Sequence, residues 1–500
     1  MDNKEDFSQF RRQSQKGILV IYINILYKAL KAFWFLLFLF IQKFSKISED
    51  KLVYIYIGVA ALLMFFLIRA FLIFKNFQFK IIRNHFILKK GILKKTNTSI
   101  PFDRIQNINF KQNIIQQIIN VHEVNIETAG SSKAEISIKA LSYKEASALK
   151  QAITVLDNNS NGTSSIETVE KPLLKVGFFA LIKVSLTENH LQSLLLLFAV
   201  LVGFFQQFND LLDRLGKQDI LDNYITKNTS SLENNILLIV GFLILLSVTA
   251  VLSSLVRVML RHFNLTVFVK NNALEIYQGL TTKKSVILKK DKVQHISISH
   301  NPIKKKLGIS FITFKQAISG KEKKKKDKII KIVGCKLIQV SAIKDLLFPD
   351  ENFDDLVQNF SDSYFRTRLY FRCFLVLIII NIGLYLGFEN SSIFWINSLL
   401  MPIFISATEL SFKKRYYLFN TDVLIVGSGT IETHKTYLPF FKVQNVELKQ
   451  TLFQAQKNVA DIVFQTASGK IKIPCIHIEK AKNIYNYTLF KIETSQKLWM

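Results

Sequence analysis

The chain has 500 residues, is 49% hydrophobic and carries a formal net charge of +29, with 43 Phe but 18 Gly and 7 Pro. Its three cysteines, Cys335, Cys373 and Cys475, are isolated in the sequence, which excludes a disulfide framework and fits a reducing compartment. The basic charge is typical of proteins that bind nucleic acid or an anionic membrane; because no nucleic-acid-binding motif is present, we expect no nucleic acid as partner.

Apolar residues are concentrated in six runs that form three close pairs, and each pair precedes one segment of mixed polarity. The runs cover residues 18–41, 52–74, 192–205, 235–256, 373–388 and 393–407. Several approach the roughly 17–25 residues that a helix needs to cross a bilayer. We therefore predict a multi-pass α-helical membrane protein with six spans, rather than a soluble protein with buried core helices.

The first run is less regular than the others. The polar residues before it are not followed by a small-residue cleavage motif, so we do not expect a removed signal peptide. Lys28 and Lys31 interrupt this run, and Lys175 and Lys183 punctuate the apolar stretch ahead of the third run in the same way. Such lysines fit either an interfacial helix that leads into a span, or a tilted span whose lysines reach the surface. We favour the interfacial helix in both places.

Basic residues are unequally distributed between the two ends of the predicted spans. Residues 206–234, within the second pair, carry three Lys or Arg against five Asp or Glu, and residues 389–392 carry no Lys or Arg. The opposite flanks are basic, for example at Arg366, Arg368 and Arg372. Because basic flanks mark the cytoplasmic side, the N-terminus and all three segments of mixed polarity are predicted to be cytoplasmic.

One short pattern occurs three times: a basic residue, a β-branched residue, Gln, a polar residue and another β-branched residue. A Gly lies 15 residues before each Gln, and an Asn or Asp lies 22 residues before it. The equivalent residues are Gln106, Gln294 and Gln444, Gly91, Gly279 and Gly429, and Asn84, Asn272 and Asp422. Such a register is improbable by chance, so the chain contains three copies of one small domain, and we interpret these residues as a structural signature.

The pattern within each copy predicts short antiparallel strands followed by one helix. The Asn/Asp positions suit hairpin turns, and the Gly positions suit a second turn or a bulge with positive φ. The strands predicted for the first copy are residues 77–81, 92–96, 105–110, 124–128 and 136–139. The closing helix follows a capping box from Ser142 to Glu145 in the first copy, begins near Ser341 in the second and covers residues 479–489 in the third. Each copy is thus predicted to be an α+β domain, a small antiparallel β-barrel or sandwich closed by a C-terminal helix, and the strand pattern does not distinguish the two.

The predicted organisation alternates membrane and cytoplasmic segments. It comprises a cytoplasmic N-terminus (1–17), an interfacial helix and first span pair (18–74), the first domain (75–156), a linker (157–171), an interfacial helix and second span pair (172–260), the second domain (261–349), a linker (350–370), the third span pair (371–411) and the third domain (412–500). Whether the three domains pack together is left open.

Several segments of the first copy resemble the membrane-flanked bacterial pleckstrin-homology-like (PH-like) domain. They are residues 100–108, 116–121, 127–130 and 141–148. Three such copies with paired spans resemble the YdbT-type multi-pass membrane proteins of bacteria. The second copy departs from the pattern at Leu288-Lys289-Lys290, and the third has Phe441 in place of the acid. The resemblance implies PH-like domains in a bacterial cytoplasmic membrane and says less about activity.

No constellation of residues in the sequence is typical of catalysis. The histidines lack the spacing of a metal site, and His295 lies at the position of Asn107 and Asn445, which favours a strand residue over a ligand. We therefore expect no catalytic residue, no metal and no cofactor, and we interpret the protein as a non-enzyme.

One lysine-rich cluster exceeds the background of basic residues. Its members are Lys304, Lys305, Lys306, Lys321, Lys323, Lys324, Lys325, Lys326 and Lys328. A Lys near an anionic surface contributes about 1 kcal/mol, so the cluster fits a contact with anionic lipid or an acidic partner. The alternative is a solvated loop between two strands.

Taken together, these patterns predict an integral membrane scaffold or sensor that presents three PH-like domains at the cytoplasmic membrane surface. Its expected partners are anionic membrane lipids and, in addition, other proteins or a second copy of itself. The alternative is a transporter or channel component that its domains regulate. Glu409, an acid at the end of the last span, is expected to pair with Lys413 rather than to form a relay.

Overall fold

The computed structural model describes most of the chain. The described residues are 7–44, 49–128, 136–157, 171–188, 190–214, 232–270, 273–317, 330–349, 351–353, 356–388 and 395–496.

The helices fall into long apolar ones and short ones that belong to the domains. In chain order they are α1 (Gly17–Phe44), α2 (Glu49–Lys75), α3 (Ile114–Ile118), α4 (Tyr143–Asp157), α5 (Phe178–Leu186), α6 (Leu191–Arg214), α7 (Leu232–His262), α8 (Pro302–Lys306), α9 (Leu337–Leu347), α10 (Ser363–Phe388), α11 (Ile396–Lys413), α12 (Leu452–Gln456) and α13 (Ile478–Thr494).

The strands are short and all pair antiparallel. The first repeat contributes β1 (Arg11–Arg12), β2 (Gln78–Ile82), β3 (His85–Lys90), β4 (Thr96–Pro101), β5 (Ile105–Gln112), β6 (His122–Thr128) and β7 (Ile136–Leu141). The second contributes β8 (Leu174–Lys175), β9 (Thr266–Lys270), β10 (Ala273–Gln278), β11 (Lys283–Lys289), β12 (Val293–His300), β13 (Ser310–Gln316) and β14 (Ile330–Cys335). The third contributes β15 (Asn359–Phe360), β16 (Tyr416–Phe419), β17 (Val423–Gly429), β18 (Thr433–Pro439), β19 (Val443–Lys449), β20 (Val459–Thr466) and β21 (Gly469–His477).

The long helices pack as the three predicted pairs, α1 with α2, α6 with α7 and α10 with α11. Within the described residues, four segments are long and apolar enough to span a membrane: Gly17–Trp34, Lys51–Lys75, Val240–His262 and Ser363–Leu386. The prediction of six spans is therefore supported by length and composition for these four, and for the others it stays a prediction.

The predicted interfacial helices have different outcomes. α1 runs without a break from Gly17 to Phe44, so the expectation of a separate interfacial helix over residues 18–30 is wrong. Helix propensity is uninterrupted there, because neither lysine breaks a helix. Ahead of the second pair, α5 is a separate helix of 9 residues that precedes α6; Lys183 lies in it as predicted, whereas Lys175 lies in β8 and not in a helix.

Each repeat is built from two sheets on one core. In the first repeat, β1 to β4 form one sheet, and β5 to β7 lie in a second. Phe79 and Phe86 from the first sheet pack with Val124 and Ile138 from the second and with Leu149 from α4, and all are buried. Burial of each large apolar side chain contributes roughly 1.5–3 kcal/mol. Among the described residues no closed barrel forms, and the arrangement is two packed sheets with a helix.

A short strand that precedes the membrane helices completes each repeat. β1, β8 and β15 each add two residues to the outer edge of a sheet, beside β2, β9 and β16. Phe7, just before β1, is buried in the first core. Each repeat therefore begins ahead of its helix pair, and residues 350–370, which the sequence assigned to a linker, contain β15. The strands were missed because two residues carry no periodic signal.

The signature glycines have the positive φ that the sequence predicted, at +116° for Gly91, +107° for Gly279 and +119° for Gly429. Asn84 also has positive φ, at +61°. The tight turn at Gly91 places the strand that follows at Thr96–Pro101, so the prediction of a strand over residues 92–96 is wrong.

The closing helices largely match expectation. Ser142 Oγ accepts a hydrogen bond from the Glu145 amide at 3.2 Å, and Glu145 Oε2 accepts one from the Ser142 amide at 2.9 Å, which confirms the capping box. α13 covers the predicted residues 479–489. In the second repeat the helix begins at Leu337 rather than near Ser341, because the Gln339 side chain accepts from the Lys336 amide and caps it earlier.

Strands of neighbouring repeats pair with each other. β5 pairs with β11, and β12 pairs with β18. The resulting seven-stranded sheets, β7-β6-β5-β11-β10-β9-β8 and β14-β13-β12-β18-β17-β16-β15, each join the second half of one repeat to the first half of the next. We call these contacts the first and the second junction. The three domains therefore pack together as one continuous array.

Candidate functional site

The first junction brings two lysines face to face. In the pairing of β5 with β11, Lys111 lies directly opposite Lys284, and Gln112 lies opposite Lys283. Like charges directly opposite each other in an antiparallel ladder destabilise it. At the equivalent place of the second junction, Ser299 lies opposite His434. The paired positive charges are therefore a property of the first junction and not of the repeat.

These lysines line a cavity of about 540 Å³ between the first two repeats. The first repeat contributes side chains from β5, β6 and α4, and the second contributes β10, β11 and the segment after α7. The lining residues that carry polar or charged groups include Lys111, His122, Tyr143, Tyr277, Lys283 and Lys284. A cavity of this size accommodates a small ligand, and its charge favours an anion.

The positive charge of Lys283 affects the neighbouring His122. Burial lowers the pKa of His122 from its ordinary value, and the positive charge of Lys283 lowers it further. His122 Nδ1 is buried and has no hydrogen-bond partner among the residues that the structure describes. The His122 ring lies 5.6 Å from the ring of Tyr143. The imidazole of His122 is therefore favoured in its neutral form at the edge of the cavity.

Backbone and side-chain contacts hold the two walls of the cavity together. Gln117 Nε2 from α3 donates to the carbonyl oxygens of Leu280 at 3.2 Å and Thr281 at 3.1 Å in the next repeat. On the opposite wall, the Tyr277 hydroxyl donates to Glu275 Oε2 at 2.8 Å, and burial together with this carboxylate raises the pKa of Tyr277. The walls are thus set by the fold before any ligand enters.

The cavity lies next to the end of an apolar helix. Phe263 and Asn264, which line it, directly follow α7, and the candidate span Val240–His262 ends there. A ligand in the cavity would therefore lie close to the membrane surface. No sequence pattern indicated this site, because its lysines are separated by more than 170 positions and meet only through the pairing of β5 with β11.

At the second junction, the structure corrects one predicted lysine. Lys304 is 2% exposed, its ammonium pairs with Glu432 of the third repeat, and it lies 3.7 Å from the centroid of the Phe311 ring. A buried and paired Lys304 is not on the surface, so its prediction as a lipid contact is wrong. Its counterparts at the same position of the other repeats, Gln116 and Gln454, are also buried.

The other predicted lysines fall into two groups. Lys305 and Lys306 are exposed on α8, beside Ile303, which is 51% exposed. Lys321, Lys323, Lys324, Lys325, Lys326 and Lys328 lie outside the described residues. The structure therefore leaves Lys305 and Lys306 accessible and does not bring the described lysines of this cluster to the first cavity.

The signature stretch lies at the second junction. A cavity of about 470 Å³ there is lined by Asp291, Gln294 and His295 from the second repeat and by Phe441 and Lys442 from the third. His295 Nδ1 lies 3.0 Å from Ser468 Oγ of the third repeat, and His295 is a residue of β12, as the sequence predicted. Lys442 Nζ donates to the Asp291 carbonyl oxygen at 2.6 Å. The signature therefore contributes to the contact between repeats.

Burial of the signature residues differs between repeats. Gln294 is 1% exposed within the second junction, whereas Gln444 lies exposed on β19. The backbone of Gln106 lies in β5, and its side chain is outside what the structure describes.

The three repeats share one further position that the sequence analysis did not identify. Asn120, Gly308 and Asn458 all have positive φ and lie at the end of the short helices α3, α8 and α12.

Polar groups within the third helix pair contact each other. Asn381 and Asn397 exchange side-chain hydrogen bonds of 3.1 and 2.7 Å between α10 and α11. Glu409 accepts from the Tyr370 hydroxyl at 2.7 Å and lies 3.9 Å from Arg366, so the predicted partner Lys413 is wrong. Interhelical polar pairs of this kind stabilise helix packing in membranes.

No group of three or more His, Cys, Asp or Glu that could hold a metal occurs among the described residues. Cys335, Cys373 and Cys475 are free thiols. The binding features of the described fold are therefore cavities between repeats and exposed lysines.

An array of three PH-like repeats joined to apolar helix pairs defines the class of the protein, a membrane-anchored assembly of PH domains. The family model described as "Bacterial PH domain" matches residues 30–155, 232–347 and 373–489, which is more than half of the chain. The chain belongs to this family and is a transmembrane protein with three bacterial PH domains. It is similar to the UPF0699 transmembrane protein YdbT of Bacillus subtilis (strain 168), with 21% identity over 417 residues, 80% of this chain and 81% of the relative.

Proposed function

We propose that the protein is a membrane scaffold or sensor that holds three PH domains as one array at the cytoplasmic face of a bacterial inner membrane. The basic flanks of the helix pairs support the cytoplasmic side. The pairing of β5 with β11 and of β12 with β18 supports a rigid array rather than three tethered domains. Binding, rather than catalysis, is its role in this proposal.

The function of the first junction is to bind an anionic ligand that carries a phosphate group. The observation that carries this proposal is the position of Lys111 opposite Lys284 in the wall of a 540 Å³ cavity. Two facing cations repel each other, and a bound anion relieves the repulsion beyond what Glu123, opposite Lys111 on β6, already contributes. Lys283 adds a third charge, and neutral His122 adds a hydrogen-bonding group.

The ligand is the headgroup of an anionic lipid. The cavity lies beside Phe263 and Asn264, at the end of the candidate span Val240–His262, so a lipid in the adjoining leaflet is within reach. The negative potential of an anionic leaflet also attracts a chain of net charge +29 to the surface where these headgroups lie. A soluble phosphate compound has the same recognition chemistry, and the experiment separates the two sources.

The test uses the full chain, purified in a neutral detergent. Its melting temperature is measured by circular dichroism with added phosphatidylglycerol, with phosphatidylcholine and with inorganic phosphate. The proposal predicts a rise with phosphatidylglycerol alone, since a ligand that binds the folded state stabilises it by mass action. A rise of equal size with inorganic phosphate would identify a soluble anion as the ligand and contradict the lipid assignment.

A charge-matched pair of variants locates the effect. The first replaces Lys111, Lys283 and Lys284 with Gln and removes three charges from the cavity. The control replaces Lys457, Lys480 and Lys482 with Gln, which removes three charges from exposed positions of the third repeat. We expect the lipid-induced rise to disappear in the first variant and to persist in the control. If both variants lose the lipid-induced rise in melting temperature equally, the lipid acts through the net charge of the protein, which would contradict a specific site.

The lysine-rich cluster is a second membrane contact in this proposal. Lys305 and Lys306 are exposed, and the further lysines of the cluster follow β13 in sequence. The second repeat shares its sheets with the first and third repeats, so these lysines are tested in the full chain rather than in an excised segment. Replacement of Lys323, Lys324, Lys325 and Lys326 with Gln should weaken phosphatidylglycerol-dependent stabilisation additively with the cavity variant. If the stabilisation by phosphatidylglycerol does not change, these lysines do not contact the membrane.

The paired asparagines and the position of Glu409 support a scaffold over a transporter. Asn381 and Asn397 satisfy each other, and Glu409 contacts Tyr370 and Arg366 near the end of the helix pair. Side chains that satisfy each other in this way hold helices together. Ion or substrate flux in proteoliposomes that is lost on Asn381→Leu would contradict this part of the proposal.

A further inference from the structure

The two junctions between repeats have the same register. In the first, Asn109 lies opposite Val286 and Gln112 lies opposite Lys283. In the second, the counterparts of these residues are paired in the same way, with Ser297 opposite Thr436 and His300 opposite Thr433. The junction is thus a repeated interface in which the second half-sheet of one repeat receives the first half-sheet of the next.

At each end of the array, one strand has a single neighbour among the described strands and leaves its other edge free. β4 is the counterpart of β11 and β18, and among the described strands it pairs only with β3. β19 is the counterpart of β5 and β12, and among the described strands it pairs only with β20. The unpaired edges are therefore the two complementary halves of a third junction, and they do not meet within one chain.

Side-chain exposure at these edges shows what a junction would cover. Leu448 on β19 is 36% exposed, whereas its counterpart Ile298 in the second junction is 3% exposed. Gln444 and Asn445 are exposed, whereas their counterparts Gln294 and His295 are 1% and 7% exposed. An edge strand with free backbone groups and an exposed apolar side chain is a template for pairing with another chain.

From this continuity with the two internal junctions, we propose that a second copy of the chain occupies each free edge, with β19 of one copy paired antiparallel to β4 of the next. The register of the internal junctions then places Glu447 opposite Thr98, Leu448 opposite Asn97 and Lys449 opposite Thr96. No two like charges face each other in this ladder, and Leu448 becomes covered.

The contact is head-to-tail, so it joins copies that stand in the same membrane. Each internal junction relates repeats that follow equivalent helix pairs, and a third junction of the same geometry continues that relation from one chain to the next. A heterologous contact of this kind generates a closed ring when its rotation closes, and an open chain of copies when it does not. The site is distinct from the cavity of the first junction, so this inference stands independently of lipid binding.

Disulfide trapping in membranes tests the pairing. Two differently tagged full-length chains are co-expressed, one with Glu447→Cys and the other with Thr98→Cys, both with Cys373→Ala because the remaining Cys335 and Cys475 are buried. Directly opposite residues of an antiparallel pair have Cα atoms about 4.5–5.5 Å apart, within the range for a disulfide. Mild oxidation should then join the two tags, and neither variant alone should form a dimer.

Two controls show that the oxidation conditions form a disulfide between paired strands and that an unrelated exposed position does not crosslink. Ser297→Cys with Thr436→Cys in one chain is the equivalent pair of the second junction, where the hydroxyl oxygens lie 3.3 Å apart, and it should form an internal disulfide under the same conditions. Lys457→Cys, exposed on the same repeat, should not crosslink to Thr98→Cys. If the internal pair oxidises and Glu447→Cys crosslinks to Thr98→Cys no more than Lys457→Cys does, the proposal is wrong.

Discussion

The ammonium group of Lys304 in the second repeat is buried against the carboxylate of Glu432 in the third. Lys304 is 2% exposed, whereas the Glu432 side chain retains 40% of its exposure. The cation also lies 3.7 Å from the centroid of the Phe311 ring, which stabilises it further. The ion pair explains why a lysine is accepted at a position where the other repeats have Gln116 and Gln454, and it links two repeats across their junction.

Removal of the carboxylate should therefore destabilise the array. Glu432→Ala leaves the buried Lys304 without its partner, and we expect a loss of about 1–3 kcal/mol in the free energy of unfolding, below the value for a fully buried pair because Glu432 is partly exposed. Thermal unfolding of the purified chain, followed by circular dichroism, measures it. Adding Lys304→Gln to Glu432→Ala should recover most of the loss; a loss that the second change deepens would contradict the account.

Acid should destabilise the second junction through His295. Burial lowers the pKa of His295 to about 4, with a smaller contribution from the charge of Lys315. The folded state therefore favours the neutral imidazole, and stability that is present above the unfolded pKa of 6.5 is lost as pH falls from 6.5 toward 4. The difference corresponds to roughly 3 kcal/mol.

The matched variant for this prediction is His295→Asn, which introduces the residue that the other repeats have at Asn107 and Asn445. Melting temperatures of the wild type and the variant, recorded between pH 7 and 4, give the contribution of His295 as their difference. We expect the wild type to lose more stability over this range. Parallel curves would show that the pKa of His295 is the same in the folded and the unfolded state, against the prediction.

The signature glycine of the second repeat should not tolerate a side chain. Gly279 has a φ of +107°, and a Cβ atom there would lie 2.1 Å from the carbonyl oxygen of Thr282. Gly279→Ala should lower the free energy of unfolding by about 1–3 kcal/mol, because the turn that leads into β11 must shift. Gly58→Ala, within α2 where a Cβ meets no atom within 4 Å, is the control and should not destabilise the chain. Equal melting temperatures for both variants would contradict the role of the turn.

The cost of the facing lysines is measurable without a ligand. In a neutral detergent free of anionic lipid, Lys284→Gln removes the like-charge pair with Lys111 and should stabilise the chain by at most about 1 kcal/mol, because Glu123 opposite Lys111 on β6 already offsets part of the repulsion. With phosphatidylglycerol present the order should reverse, because the wild type gains a bound anion that the variant binds less well. Lys457→Gln is the control. A variant that is less stable than the wild type in both conditions would indicate that Lys284 has a purely structural role.

Local patterns predicted the parts of the fold that local physics decides. The apolar runs gave the helix pairs, the positive φ of Gly91, Gly279 and Gly429 followed from their register, and the capping box at Ser142 was confirmed. The strand at Thr96–Pro101 was misplaced, because the extent of a glycine turn is not encoded in apolar periodicity.

The junctions could not be predicted, because they join residues that are far apart in sequence. Lys111 and Lys284 meet only once β5 pairs with β11. Lys304 and Lys305 are adjacent in sequence, yet one is buried and the other exposed. A signal did exist for Lys304: its register with Gln116 and Gln454 marks a polar position shared by all three repeats, which predicts a structural role better than net charge does.

Native mass spectrometry shows whether the first junction retains an anionic lipid in preference to a neutral one. The full chain is released from micelles that contain equal amounts of phosphatidylglycerol and phosphatidylcholine, and the lipids that remain bound are counted. We expect the wild type to retain phosphatidylglycerol preferentially, and likewise the variant in which Lys457, Lys480 and Lys482 are replaced with Gln. The preference should be lost when Lys111, Lys283 and Lys284 are replaced with Gln. Retention of phosphatidylglycerol by all three proteins to the same extent would contradict it.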